Sequence, residues 1–172
     1  MNPPLTIAQV ANLLAATVPI LQAEIAALPV AITQFQPAPG EWSVNEVIGH
    51  LIETEERGFG GRIARVLADD DYVCQAWDPD QVARERRDNE KMATLLLAEL
   101  AERRAASLDM VRTLMPDQLT RTAMHPAVGI LTVNDLLHEW VFHDHNHIKQ
   151  ILTNCQKWVW PAMGNTQRFT TG

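Results

Sequence analysis

Three hydroxyl residues, each three positions ahead of an acid or amide, decide most of what this chain can fold into. Thr6 with Gln9, Ser43 with Glu46 and Thr132 with Asp135 each have the form of a capping box. In such a box the hydroxyl accepts the third helical N–H, and the downstream side chain returns to the cap's own N–H. Behind each runs an apolar pattern of period near 3.6, not 2. The first pattern extends to Leu28 and stops at Pro29, and Pro19 inside it should kink or break the helix near Thr17–Val18. The second places Val44, Val47, Ile48, Leu51, Ile52, Phe59 and Ile63 on one face and ends near Leu67, ahead of the acidic run 69–71. A third segment, from about Asn89 to Leu114, is rich in Ala, Leu, Glu and Arg and is closed by Pro116. The box at Thr132 opens a fourth helix to about Cys155.

The connections read as polar or Pro/Gly-rich: 29–42, 72–88 with a short helical turn, and 120–130 as a loop. Residues 156–172 read as an irregular tail with mobile last residues. No segment has a strand pattern, so the expectation is an all-α, four-helix bundle: one domain over 1–172 with its core at about 5–155. The stretches "SVNEVIGHLI" (43–52) and "TVNDLLHEWV" (132–141) resemble each other, which suggests that the second and fourth helices are entered alike.

Charge narrows the function classes. A formal net charge of −7 argues against nucleic acid, which needs a concentrated basic face. The basic run Arg84–Arg87 is interrupted by Glu85 and reads as a solvated helix face. No apolar run is long enough to span a bilayer, and no leader peptide is expected. Cys74 and Cys155 are isolated, consistent with inert, buried thiols in a reducing cytoplasm.

Residues 138–147 hold four of the six histidines. At about 100° per residue, His143 and His147 lie about 40° apart on the edge of the apolar arc, whereas His138 and His145 point to the far side. An i, i+4 pair is the spacing by which one helix supplies two imidazoles to one metal. His50, on the border of the second helix's apolar face, is the candidate third ligand, completing an open, catalytic-type site. Spacing alone leaves two readings open: a metal site, or interfacial histidines satisfied by carbonyls. His138 and His145 read as surface residues, and His125, before Pro126, reads as a turn residue.

Two acids, Asp144 and Glu55, fall in the middle of apolar arcs and require a partner. The partner is either a metal-bound imidazole to be oriented, or a backbone group or an arginine such as Arg57 or Arg62. Glu139, one turn before His143, is a candidate extra ligand or general base.

Taken together, "PAPGEWSVNEVIGHLIETE" (37–55) and "LTRTAMHPAVGILTVNDLLHEWVFHDHNHIKQI" (119–151) make the chain resemble the DinB-like superfamily of metalloenzymes, to about Leu152. That resemblance implies an up-down-down-up bundle, frequently a homodimer, with one divalent ion (nickel, zinc or iron) on His50, His143 and His147. Asn146 departs from the commonest family pattern, but the ligand spacing survives. The resemblance also implies a small-molecule substrate, possible thiol cosubstrates such as mycothiol or bacillithiol, and a metal centre that activates a thiol or water. The function expected is therefore a metal-dependent thiol transferase or hydrolase. The rival is a non-catalytic bundle that binds a small ligand or partner, with Trp158 and Trp160 packing across a dimer interface as a weaker variant.

Overall fold

The computed structural model describes residues 3–170. All three capping boxes form. Thr6 accepts from Gln9 N–H at 3.2 Å while Gln9 Oε1 accepts from Thr6 N–H at 2.9 Å, and Ser43/Glu46 and Thr132/Asp135 repeat the exchange. They open α1 (Ile7–Ile25), α3 (Val44–Glu53) and α7 (Val133–Val159), and a short α2 (Val30–Thr33) lies between the first two. Pro19 does not interrupt α1. The proline sits on the exposed side, where water can take the carbonyl that its missing N–H leaves free.

The second rod is not one uniform helix. A π-helical turn at Thr54–Gly58 joins α3 to α4 (Gly60–Ala68), with Phe59 N–H donating to Thr54 O at 2.8 Å. Glycines permit this wide turn: a Cβ on Gly61 would stand 2.1 Å from Glu56 O, and one on Gly60 2.8 Å from Ser107 Oγ. The chain continues through α5 (Pro79–Arg86) to α6 (Ala93–Arg112), whose amino end has no side-chain cap.

Two further expectations are corrected. The segment expected as the loop 120–130 forms a hairpin, β1 (Thr122–His125) with β2 (Gly129–Thr132), extended by a bridge from Val73 to Met124. The tail is not irregular: α7 runs on to Val159 and passes into 3-10 turns at Trp160–Phe169. The expected mobility of the final residues falls partly outside the described ones.

Cross-links fix the direction of each rod. Leu5 and Thr17 bond to His138 and Asp144, so α1 and α7 run parallel. Trp42 meets Asn154 and Phe59 meets Trp140, so the α3–α4 rod is antiparallel to α7. Asn45 meets Lys91 and Glu55 meets Arg104, so that rod and α6 run parallel. The result is a four-helix bundle with up-down-down-up order.

The core divides into two clusters. One gathers Leu14, Phe59, Ile63, Leu108, Leu136 and Trp140, and the other Val18, Leu21, Ile48, Ile52, Leu100 and Ile151. Between them lies a polar layer to which every rod contributes one buried residue: Thr17, Glu55, Arg104 and Asp144. Among the described residues no helix is long and apolar enough to cross a membrane.

Candidate metal centre

His50 follows the buried Gly49 on α3, and His143 and His147 lie one turn apart on α7. The antiparallel packing of these rods brings the three together, each half-buried, with one ligand atom apiece inside a 4.8 Å cluster. The Nε2 atoms of His50 and His143 are 3.0 Å apart. Two nitrogens each about 2.1 Å from one ion stand roughly 3.0 to 3.4 Å apart, so the spacing suits a shared cation. His147 donates its Nδ1–H to Gln150 Oε1 at 2.8 Å, which leaves its Nε2 lone pair free.

Electrostatics keeps these rings neutral. Burial, then repulsion from His147 and His143, pushes His50 from 6.5 down to about 3. Burial, then His147 and Arg104, pushes His143 to about 3, and burial lowers His147 as well. Neutral, converging imidazoles are what a divalent ion requires. Three such donors leave coordination positions for water or substrate, so the residues fit a catalytic-type metal.

Aromatic rings enclose the cluster. Trp42 lies 4.8 Å from His50 and stacks on His147 at 6.4 Å, Trp77 stacks on His50 at 5.7 Å, and Phe59 meets His143 edge-on at 5.1 Å. Asn154 Nδ2 donates to Trp42 O at 2.8 Å and holds that wall against α7. A cleft of about 560 Å³ runs outward from His147 and Trp42 past Asn146 and Gln150 toward Lys157.

The other candidates divide. His138 donates to Asn134 O and accepts from Leu5 N–H, and His145 donates to Val141 O, so both serve the backbone away from the cluster. His125 ends β1, and its Nδ1 accepts from Ala127 N–H, as expected of a turn residue. Glu139 is exposed and lies outside the three-histidine cluster. Glu55 and Asp144 are buried as expected, but their shared partner is neither Arg57 nor Arg62. It is Arg104 on α6, which reaches Glu55 Oε1 at 2.8 Å and Asp144 Oδ2 at 2.5 Å.

Arg104 was missed although the signal was present: it falls on the apolar spacing between Leu100 and Leu108. Trp77, alone in a polar connection, offered none. The basic run also departs from its reading as a solvated face. Arg84 and Arg87 are exposed, but Arg86 turns inward and pairs with Glu53 and the buried Asp88. Cys74 is buried and Cys155 half-buried, both as free thiols.

Comparison with known proteins agrees with this architecture. The family model of the DinB superfamily matches residues 13–151. A protein of Oceanobacillus iheyensis named "Putative metal-dependent hydrolase" is 25% identical over 122 residues, covering 70% of this chain and 69% of its own. YfiT from Bacillus subtilis, described as a probable metal-dependent hydrolase with an unusual four-helix bundle topology, superposes with a TM-score of 0.81 at 20% identity. That match covers 92% of this chain and 93% of YfiT, and it speaks to the fold.

Proposed function

The chain belongs to the DinB superfamily, and from that premise we propose that it is a metal-dependent enzyme whose centre is His50, His143 and His147. The observation that carries this reading is the convergence of three neutral imidazoles from two antiparallel rods into a 4.8 Å cluster. A divalent ion there would supply Lewis-acid chemistry, making a bound water or thiol acidic enough to serve as a nucleophile near neutral pH.

The protein's own contribution is placement. Gln150 orients His147, and Trp42, Trp77 and Phe59 pack aromatic surface against the imidazoles. The cleft beside His147 would receive a small polar substrate, with Asn146 and Gln150 offering amide groups along one helix face. Hydrolysis is the form of the reaction that the names of the two relatives support, and transfer of a low-molecular-weight thiol is the alternative that the same centre could serve. Glu139 remains the α7 carboxylate one turn from His143 and would act as base only through an intervening water, given its exposure.

The test is elemental analysis of untagged protein purified without chelator, alongside His143→Ala. The reading expects about one divalent ion per chain in the native protein, and its loss without loss of helical circular dichroism in the variant. Native protein that neither retains nor takes up a divalent ion overturns it.

A further inference from the structure

Three imidazoles carry no charge, so a dication among them has no opposite charge in its own ligand set. Besides the exposed Glu41, Asp80, Lys149 and Lys157 along the cleft, whose charges cancel, the charged side chains near the site include two groups. Outward of His50, the acids Glu53, Asp88 and Glu99 are met by Arg57, Arg86 and Lys91, with exposed Arg103 also on Glu99. That group has no negative charge to spare.

The polar layer is different. Glu55 and Asp144 share the single cation Arg104, with side-chain exposures of 3%, 1% and 2%. With both carboxylates ionised, one unit of negative charge is left over inside the bundle, and burial followed by the Asp144 charge works against it by pushing Glu55 upward. Glu55 Oε2 and Asp144 Oδ1 are buried and accept no hydrogen bond. A surplus charge closed off from water is expensive unless positive charge lies near it. Asp144 directly follows His143 in α7 and its negative charge favours positive charge at His147, against which the Arg104 guanidinium lowers His143. Thr17 Oγ1 and Arg104 Nη1 both grip Asp144 Oδ2, so this carboxylate also fixes the rotation of α7 that aims both of its imidazoles.

We propose that the Glu55–Arg104–Asp144 layer is the charge partner of the metal centre, supplying from behind the ligands the negative charge that three imidazoles lack. The proposal rests on the three-histidine metal reading and adds to it a residue set outside the ligand shell.

Asp144→Asn and Glu55→Gln each remove the surplus charge, keep the side-chain shape and leave Arg104 one carboxylate. Apo-protein of each is titrated with Co²⁺, and with Cu⁺ under anaerobic reducing conditions, counting only binding that His143→Ala abolishes. Urea unfolding of the apo forms is recorded in parallel. Co²⁺ affinity is expected to fall at least tenfold in both variants. Cu⁺ affinity should fall by about the square root of that factor, because a single charge feels half the Coulomb energy. Apo stability should hold or rise.

Co²⁺ affinity within threefold of wild type in the variants overturns the proposal, as do equal losses for Co²⁺ and Cu⁺, the signature of mere structural damage. The two substitutions lie on different rods, so if one fails to fold the other decides. Wild-type protein that binds no Co²⁺, or binding that survives His143→Ala, removes the metal reading and this proposal together. Binding lost in His143→Ala but unchanged in Asp144→Asn and Glu55→Gln removes this proposal alone.

Discussion

His50 and His143, 93 residues apart in the chain, face each other Nε2 to Nε2 at 3.0 Å in the half-buried centre of the bundle. Neither ring can take a proton there without bringing charge against its neighbours. In the unfolded chain each imidazole protonates near pH 6.5, whereas in the fold His50 and His143 hold out to about 3. Between those values the unfolded state binds more protons, so stability rises with pH across the window. Metal-free protein is therefore expected to lose up to about 2 kcal/mol per imidazole between pH 7.5 and 5. Urea midpoints across that range measure it, and the pH dependence should be shallower in His143→Ala. An equal slope in the variant would show that these rings do not titrate as described.

Arg104→Met leaves Glu55 and Asp144 without their cation. Breaking a buried ion pair from one side costs about 3–5 kcal/mol. The substitution should therefore unfold the protein or lower its urea midpoint far more than Arg103→Met, whose side chain is 42% exposed. Similar midpoints for the two variants would contradict the burial of the layer.

Gly49→Ala should disturb the site without touching a histidine. The added methyl would sit 1.8 Å from Asp88 Oδ2, and Asp88 is the buried anchor of Arg86 and Lys91. A loss of about 1–3 kcal/mol is expected from overpacking, together with weaker metal binding through displacement of His50. Calorimetric titration with Zn²⁺ and thermal unfolding read both effects.

His138→Ala and His145→Ala separate the histidine-rich stretch into its parts. Neither should change the metal content, since both rings bond to backbone carbonyls. His138→Ala alone should destabilise, by about 1 kcal/mol, because Leu5 N–H loses its acceptor. Metal lost from either variant would redraw the ligand set.

Thr132→Ala removes the cap of α7, the rod that carries two of the three imidazoles, at a cost of about 1 kcal/mol. Asp135 completes the same box, and the Thr132 backbone and hydroxyl hold its carboxyl below the ordinary range. Its contribution is present above the unfolded carboxylate pKa and disappears as pH falls through the folded one. The stability gap between wild type and Asp135→Ala should therefore close in acid.

The capping boxes and helical apolar spacing made four rods legible, because both signals are local and depend on neighbours three or four positions away. The facing of His143 and His147 followed from the same geometry. What escaped depends on distant contacts. The hairpin at 122–132 takes its third neighbour from Val73, fifty residues earlier, and its strands of four residues are too short to show a period. Arg104 lay on the apolar spacing of α6, yet it could be assigned to Glu55 and Asp144 only once the order of the rods was known. The π turn at Thr54–Gly58 and the unbroken α1 around Pro19 show backbone preference yielding to packing and solvent access.

Parallel packing of the second and third rods obliges residues 69–92 to climb the whole length of the bundle before α6 can begin. On the way this connection stacks Trp77 on His50 and sets Arg86 on Glu53, while α5 within it has no buried residue. The three histidines thus stand on rods tied into the core, but one wall of their chamber is a strap anchored at Cys74 and Asp88, with the unburied α5 between those anchors. Substitution or insertion in that strap can change what the chamber admits while the scaffold stays intact. Inheritance could vary selectivity and stability separately in a chain built this way.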